Sequence, residues 1–227
     1  MFKYFKINIP PMYFIFDMDG TMVDNMMVHH RAWQHILAEN GIELDIDEVK
    51  KKIHGINEEI LEREFGDFFS PADRKRIAWE KEATYRNIFK DDLALIAGLP
   101  QLLEEAYQSG IPMAIASAAP AENVDFVLDD LNLRQYFSAV VHASMVEKGK
   151  PDPEVFEKAA AALGASTADC VIFEDSPTGA EAARRAGSAT IILTTTHGLE
   201  EFAHLPNVKA TWSDFQGVTL ESIRRLL

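Results

Sequence analysis

Short apolar runs alternate with helix-like stretches along most of the chain. "MYFIF" (residues 12–16), "PMAIAS" (112–117), "AVV" (139–141), "CVIF" (170–173) and "TIIL" (190–193) are apolar nearly throughout and bounded by turn or polar residues. Continuous rather than alternating hydrophobicity is the mark of strands covered on both faces of a parallel sheet. Between them, "PQLLEEAYQSG" and "PEVFEKAAAALG" each run from proline to glycine, the start and stop chemistry of a helix. The alternation predicts an α/β fold, a Rossmann-like doubly wound parallel sheet.

One interval departs from this rhythm. Residues 26–91 carry helical periodicity and no strand-like run. Ala32, Trp33, Ile36 and Leu37 share one helix face that stops at Asn40-Gly41. Asp45 with Glu48 reads as a capping box, Asn57 as the cap of "EEILEREF", and Ser70-Pro71 as the opening of a long helix through Ile88. The expected organisation is an α/β core made of residues 1–25 and 92–227, with an all-helical cap domain, 26–91, inserted after the first strand. Such an insert lies over the end of that strand.

Composition narrows the class. The chain of 227 residues can bury a full core, and no apolar run is long enough to cross a bilayer. The opening "MFKYFKINIPPM" lacks the continuous apolar core and small-residue cleavage site of a signal peptide, so a cytoplasmic location is expected. A net charge of −14 argues against nucleic acid or an anionic membrane as partner, because phosphate would be repelled at long range. The single cysteine, Cys170, falls in the apolar run "CVIF" and reads as a buried thiol. None of the seven histidines shows the paired helical spacing of a zinc motif; His30 and His35 are five apart, off a shared face. The residues leave the oligomeric state open, with a monomer as the expectation.

The candidate chemistry lies at the strand ends. Ligands of an open parallel sheet bind at the carboxyl ends of its strands, and there this chain places Asp17 and Asp19, Ser117, and Glu174-Asp175. Lys150, in "KGKPDP", lies between the third strand and the next helix. Four carboxylates in one crevice repel: two like charges about 4 Å apart cost roughly 4 kcal/mol at an effective dielectric near 20. Oxygen-only ligands point to a hard ion, Mg2+, with Lys150 as a second positive charge.

"DMDGT", Ser117 at a strand end, "KPDP" with Lys150, and "EDS" at 174–176 resemble, in order and context, the four motifs of the haloacid dehalogenase superfamily of phosphotransferases. The resemblance covers nearly the whole chain, and the helical insert is similar to that of the β-phosphoglucomutase-like subgroup, which includes small sugar-phosphate phosphatases. It implies Asp17 as nucleophile, forming an aspartyl-phosphate, and Asp19 as general acid and then base. It implies Thr21, Ser117 and the amides near Met18 and Ala118 on the phosphoryl oxygens, with Lys150 neutralising charge. Mg2+ would be held by Asp17, the Asp19 carbonyl and Asp175, with Glu174 adjacent. Asp19 also argues against a dehalogenase, which expels a halide and needs no second acid.

Within the subgroup, His29, Trp33 and Lys81 match residue types of the mutase hinge helix and cap. The cap position of the mutase's phosphate-binding arginine falls on Glu58, and "SAAPA" (117–121) lacks the lysine and asparagine that follow its serine. A mutase must grip a second phosphate, which Glu58 would repel. The expected function is therefore a magnesium-dependent phosphatase acting on a small phosphorylated metabolite whose far end is neutral or cationic, with Glu58 against a hydroxyl or amine. The alternatives are a β-phosphoglucomutase and a non-catalytic binding protein on the same fold.

Overall fold

The structure, a computed structural model, describes residues 12–53 and 57–227. Six strands form one sheet: β1 (Tyr13–Phe16), β2 (Met113–Ala116), β3 (Ala139–Val141), β4 (Cys170–Glu174), β5 (Ala189–Leu193) and β6 (Val208–Trp212). All neighbours pair parallel in the order β3-β2-β1-β4-β5-β6. The order reverses beside β1, which places a crevice at its carboxyl end, between β2 and β4. The helices are α1 (Met26–Glu39), α2 (Ile46–Lys52), α3 (Asn57–Phe65), α4 (Pro71–Phe89), α5 (Leu99–Gln108), α6 (Ala121–Asp130), α7 (Glu154–Ala162), α8 (Pro177–Ala186) and α9 (Leu220–Arg224). No helix among the described residues is long and apolar enough to cross a membrane.

The strands are apolar throughout because both sheet faces are covered. Phe14, Phe16, Ile115 and Phe173 point into one cluster with Leu99 and Leu102 of α5, Val124 and Val127 of α6, and Leu220 of α9. Ile15, Ala114 and Ile172 point the other way, onto Val155 and Phe156 of α7 and Ala183 of α8. The Phe16 and Phe173 rings stack with centroids 4.4 Å apart, locking β1 to β4 beneath the crevice. The alternation follows from the strand's period of two.

Between β1 and α5, α1 to α4 gather an apolar cluster of their own around Trp33, Ile36, Leu37, Val49, Ile60, Leu61 and Ile77. Asp45 and Glu48 make the expected capping box, and Ser70 Oγ accepts from Asp73 N–H to start α4. The long helix α4 joins the two regions, with Ile77 in the helical cluster and Tyr85 and Phe89 in the cluster under the sheet.

Two expectations need correction. Asn57 is the first residue of α3 rather than its cap, and its side-chain amide donates to the Glu82 carboxylate at 2.6 Å, a charge-assisted bond that turns the side chain toward α4. Strand β6 falls outside the strand-like runs: "VKATW" alternates half-buried and exposed residues, as an edge strand does.

Candidate active site

The sheet ladder positions Asp17. Its N–H donates to the Phe173 carbonyl at 2.9 Å, so the strand pairing extends one residue past β1. The chain then closes a tight turn, with Met22 N–H donating to Met18 C=O at 2.8 Å and Gly20 N–H to Val23 C=O at 2.8 Å. Met18, Met22 and Val23 are fully buried and anchor the turn in the core. Gly20 has φ +73°, and a Cβ there would overlap the Asp175 carboxylate. Glycine is needed at this point for both reasons.

Lys150 enters from the loop after β3, where Glu154 accepts from the Glu147 and Lys148 amides at 2.9 to 3.1 Å and braces the segment. The Lys150–Pro151 peptide is cis. Lys150 Nζ lies 2.5 Å from Asp17 Oδ1 and 2.7 Å from Glu174 Oε1, and all three side chains are at most 8% exposed. The second Glu174 oxygen accepts from the Asp175 and Ser176 amides at 2.7 and 2.6 Å and from the Ser176 hydroxyl at 2.9 Å. Gly179, in the first turn of α8, leaves room for that carboxylate, which a Cβ would overlap.

Asp19 faces a different company. Asn25 Nδ2 donates to its Oδ1 at 2.6 Å and lies equally close to the Tyr85 hydroxyl, while Gly20 N–H donates to Asn25 Oδ1 at 3.2 Å. Asn25 stands at the cap position of α1, yet its side chain does not cap the helix. His29 Nε2 is 3.8 Å from Asp19 Oδ1, its ring stacks on Tyr85 with centroids 3.9 Å apart, and its Nδ1 meets Lys81 Nζ at 2.9 Å.

These surroundings separate the carboxyls electrostatically. Burial, with Glu174 and Asp19 adding to it against Lys150, pushes Asp17 up to about 7. Burial also drives Asp175 well above the carboxylate range, helped by Glu174 and Asp17. Burial works in the same direction on Glu174, but Lys150 and the Ser176 donors hold it below its ordinary value. For Asp19, burial is outweighed by the His29 hydrogen bond and charge, Asn25 and Lys81, so its carboxyl is depressed. Lys150 is raised: burial opposes its charge, and the two carboxylates beside it prevail.

Oxygens of Asp17, Glu174 and Asp175 come within 4.8 Å of one another. Three carboxylates with one ammonium leave the cluster two positive charges short when all are ionised, and the donors are oxygen only. That set fits a hard divalent cation. Ser117, at the end of β2, is buried, its N–H bonded to Val141 C=O and its Oγ accepting from Ala119 N–H at 3.0 Å. Ala118 beside it is exposed. Thr21 is fully buried, and its hydroxyl has no hydrogen-bond partner. A buried, unsatisfied hydroxyl two residues along the chain from Asp19 is a group that calls for a partner.

The remaining candidates scatter more. Lys81 is buried beside His29, its Nζ 5.6 Å from the Trp33 ring centroid. Trp33 itself is 2% exposed and belongs to the helical cluster. Glu58 is exposed in the first turn of α3. Asn25, Tyr85, Glu82 and Asn123 were not singled out by sequence reasoning, and neither was Thr196, which hydrogen-bonds Asp175. The threonines after β5 obey the same strand-end rule that selected Ser117; the helix residues carry no local signal.

A hydrolytic site built on carboxylates at the tip of a central parallel strand is what this geometry defines. The chain belongs to the haloacid dehalogenase-like hydrolases, whose family model matches residues 11–187. It is 33% identical over 179 residues to the fructose-1-phosphate phosphatase YqaB of Escherichia coli, covering 76% of this chain and 91% of that one. It is 33% identical over 183 residues to the β-phosphoglucomutase of Bacillus subtilis, covering 76% and 79%. A HAD hydrolase of family IA, variant 3, from Entamoeba histolytica superposes with a TM-score of 0.85 at 27% identity, over 94% of this chain and 98% of that one. The expected superfamily, subgroup and α/β fold are thereby borne out.

Proposed function

We propose that the chain is a magnesium-dependent phosphatase that hydrolyses a small phosphorylated metabolite, a sugar or polyol phosphate, through an aspartyl-phosphate at Asp17. The observation that carries the reading is the split between the two aspartates: Asp17 lies against Lys150 among metal-ligating oxygens, and Asp19 is turned to Asn25 and His29. One carboxylate can attack while the other moves a proton.

In the first half-reaction an Asp17 oxygen bonds to phosphorus, the ester P–O bond breaks, and the leaving oxygen takes a proton from Asp19. A phosphate dianion beside Asp19 raises its carboxyl from the depressed value of the ligand-free site, so substrate arrival itself favours the acid form. In the second half, water gives a proton to Asp19 as it bonds to phosphorus, the bond to Asp17 breaks, and inorganic phosphate departs. The Thr21 and Ser117 hydroxyls and the Met18 and Ala118 amides supply donors to the phosphoryl oxygens, and Lys150 balances their charge. Asp17, the Asp19 carbonyl and Asp175, with Glu174 adjacent, would hold Mg2+, which neutralises phosphoryl charge when bound.

The described residues of 26–91 form a cap over a core made of those of 1–25 and 92–227, with His29 and Lys81 bordering the leaving group; residues 1–11 and 54–56 of this division lie outside the described residues. The reading is of a cytoplasmic monomer acting on a small molecule rather than on nucleic acid or membrane. The phosphatase names of relatives and the missing second-phosphate grip in "SAAPA" support hydrolysis. The B. subtilis relative, together with the resemblance of His29, Trp33 and Lys81 to the mutase's residue types, favours the mutase as the second reading. Purified protein assayed with Mg2+ against p-nitrophenyl phosphate and a panel of sugar phosphates should release phosphate, and Asp17→Asn should release none. Efficient conversion of β-glucose 1-phosphate to glucose 6-phosphate in the presence of the 1,6-bisphosphate would replace this assignment with the mutase.

A further inference from the structure

Glu82 is a carboxylate at the seam between helices. It lies on α4 between the part of that helix in the helical cluster and the part under the sheet. Donors from three elements reach it: Lys81 Nζ at 2.9 Å and Asn57 Nδ2 of α3 at 2.6 Å on one oxygen, and Asn123 Nδ2 of α6 at 2.7 Å on the other. Asn123 is fully buried, and its own oxygen accepts from Arg86 at 2.7 Å. The carboxylate is 13% exposed and the Lys81 side chain 4%, so the pair is largely shielded from water.

Lys81 is one imidazole ring away from Asp19, through His29. With Asp19 as the acid that protonates the leaving oxygen, that is the side of the site toward which the leaving group extends. An isolated buried ammonium there would draw a second anion, and Glu82 cancels it at contact distance.

We propose that Glu82 is a specificity-determining residue. By pairing with Lys81 it cancels that ammonium on the leaving-group side of the site and selects phosphate esters with a neutral, hydroxyl-bearing far end over those bearing a second phosphate. The proposal rests on the phosphatase reading above and moves the discriminating carboxylate from exposed Glu58 to half-buried Glu82.

The test compares kcat/KM for hexose monophosphates that the wild type hydrolyses with kcat/KM for the matching bisphosphates, in wild type, Glu82→Gln and Lys81→Met, with p-nitrophenyl phosphate as reference. Glu82→Gln keeps the side chain's shape and leaves the ammonium uncancelled. It should raise the bisphosphate-to-monophosphate ratio about tenfold, the size of a dianion's attraction to one cation roughly 10 Å away at an effective dielectric of about 50. Lys81→Met leaves the carboxylate uncancelled and should lower the ratio. A ratio is insensitive to the folded fraction, and a merely structural lesion moves both substrates together. A ratio unchanged in Glu82→Gln, or shifted the same way in both variants, overturns the proposal while the phosphatase reading stands. No magnesium-dependent hydrolysis by the wild type of any phosphate ester overturns both.

Discussion

Replacing the proposed nucleophile should make the metal-free protein more stable, and increasingly so as pH rises. Asp17 is buried with Glu174 and Asp175 around it, and its carboxyl moves from 3.8 to about 7. A carboxyl raised on folding binds its proton more tightly in the folded chain. The stability linked to that proton is complete below pH 3.8 and is lost as pH rises through about 7. At about 1.4 kcal/mol per pH unit over that window, the ionised Asp17 destabilises the metal-free fold by about 4 kcal/mol. Asp17→Asn is isosteric and never ionises, and its amide oxygen can still accept from Lys150. It also relieves Asp175, which Asp17 helps to raise, an effect of the same sign. Urea unfolding in EDTA, followed by tryptophan fluorescence from pH 4 to 8, should show the variant gaining on wild type by up to about 4 kcal/mol across the range. Saturating Mg2+ should shrink or invert the gap at pH 8, because only the wild type offers the full ligand set. A variant that does not gain on wild type with pH, or a gap indifferent to Mg2+, would refute the electrostatic picture of the cluster.

The unpartnered Thr21 hydroxyl makes Thr21→Val informative: ligand-free stability should stay within about 1 kcal/mol of wild type or rise, while kcat/KM falls about tenfold or more. Thermal melts and steady-state kinetics check the two halves, and a stability loss with unchanged kinetics contradicts the role. Gly20→Ala puts a side chain at φ +73° against the Asp175 carboxylate; it should destabilise the metal-free protein by about 1–2 kcal/mol and abolish the rise in melting temperature on adding Mg2+. A variant that keeps that rise would place the ion elsewhere.

How much of this could be read beforehand follows from where each residue gets its position. Asp17, Glu174 and Asp175 lie at or just beyond strand ends, and a parallel sheet brings such ends together whatever the details of helix packing, while Lys150 reaches them from the loop after β3. The apolar runs announced those strands, so the convergence was legible. Strand β6 was not, because Lys209 and Thr211 interrupt its hydrophobicity as befits an edge. The surroundings of Asp19 are set by contacts across helices: Asn25 abandons its cap for Asp19, Tyr85 meets Asn25 from 60 residues away, and Asn123 of α6 reaches Glu82 on α4. No local pattern encodes such meetings. The same reason explains why Glu82 carried no signal, and the expectation that Asn57 caps a helix it in fact begins.

The central claim is a covalent phosphoryl group on the carboxylate that ends β1. Acid quenching during turnover of p-nitrophenyl phosphate with Mg2+, followed by peptide mass spectrometry, tests it directly. The account predicts a phosphoryl mass gain on the peptide containing Asp17, cleared as substrate is exhausted and absent from Asp17→Asn. A phosphoryl group trapped on another residue, or full turnover by Asp17→Asn, would contradict it.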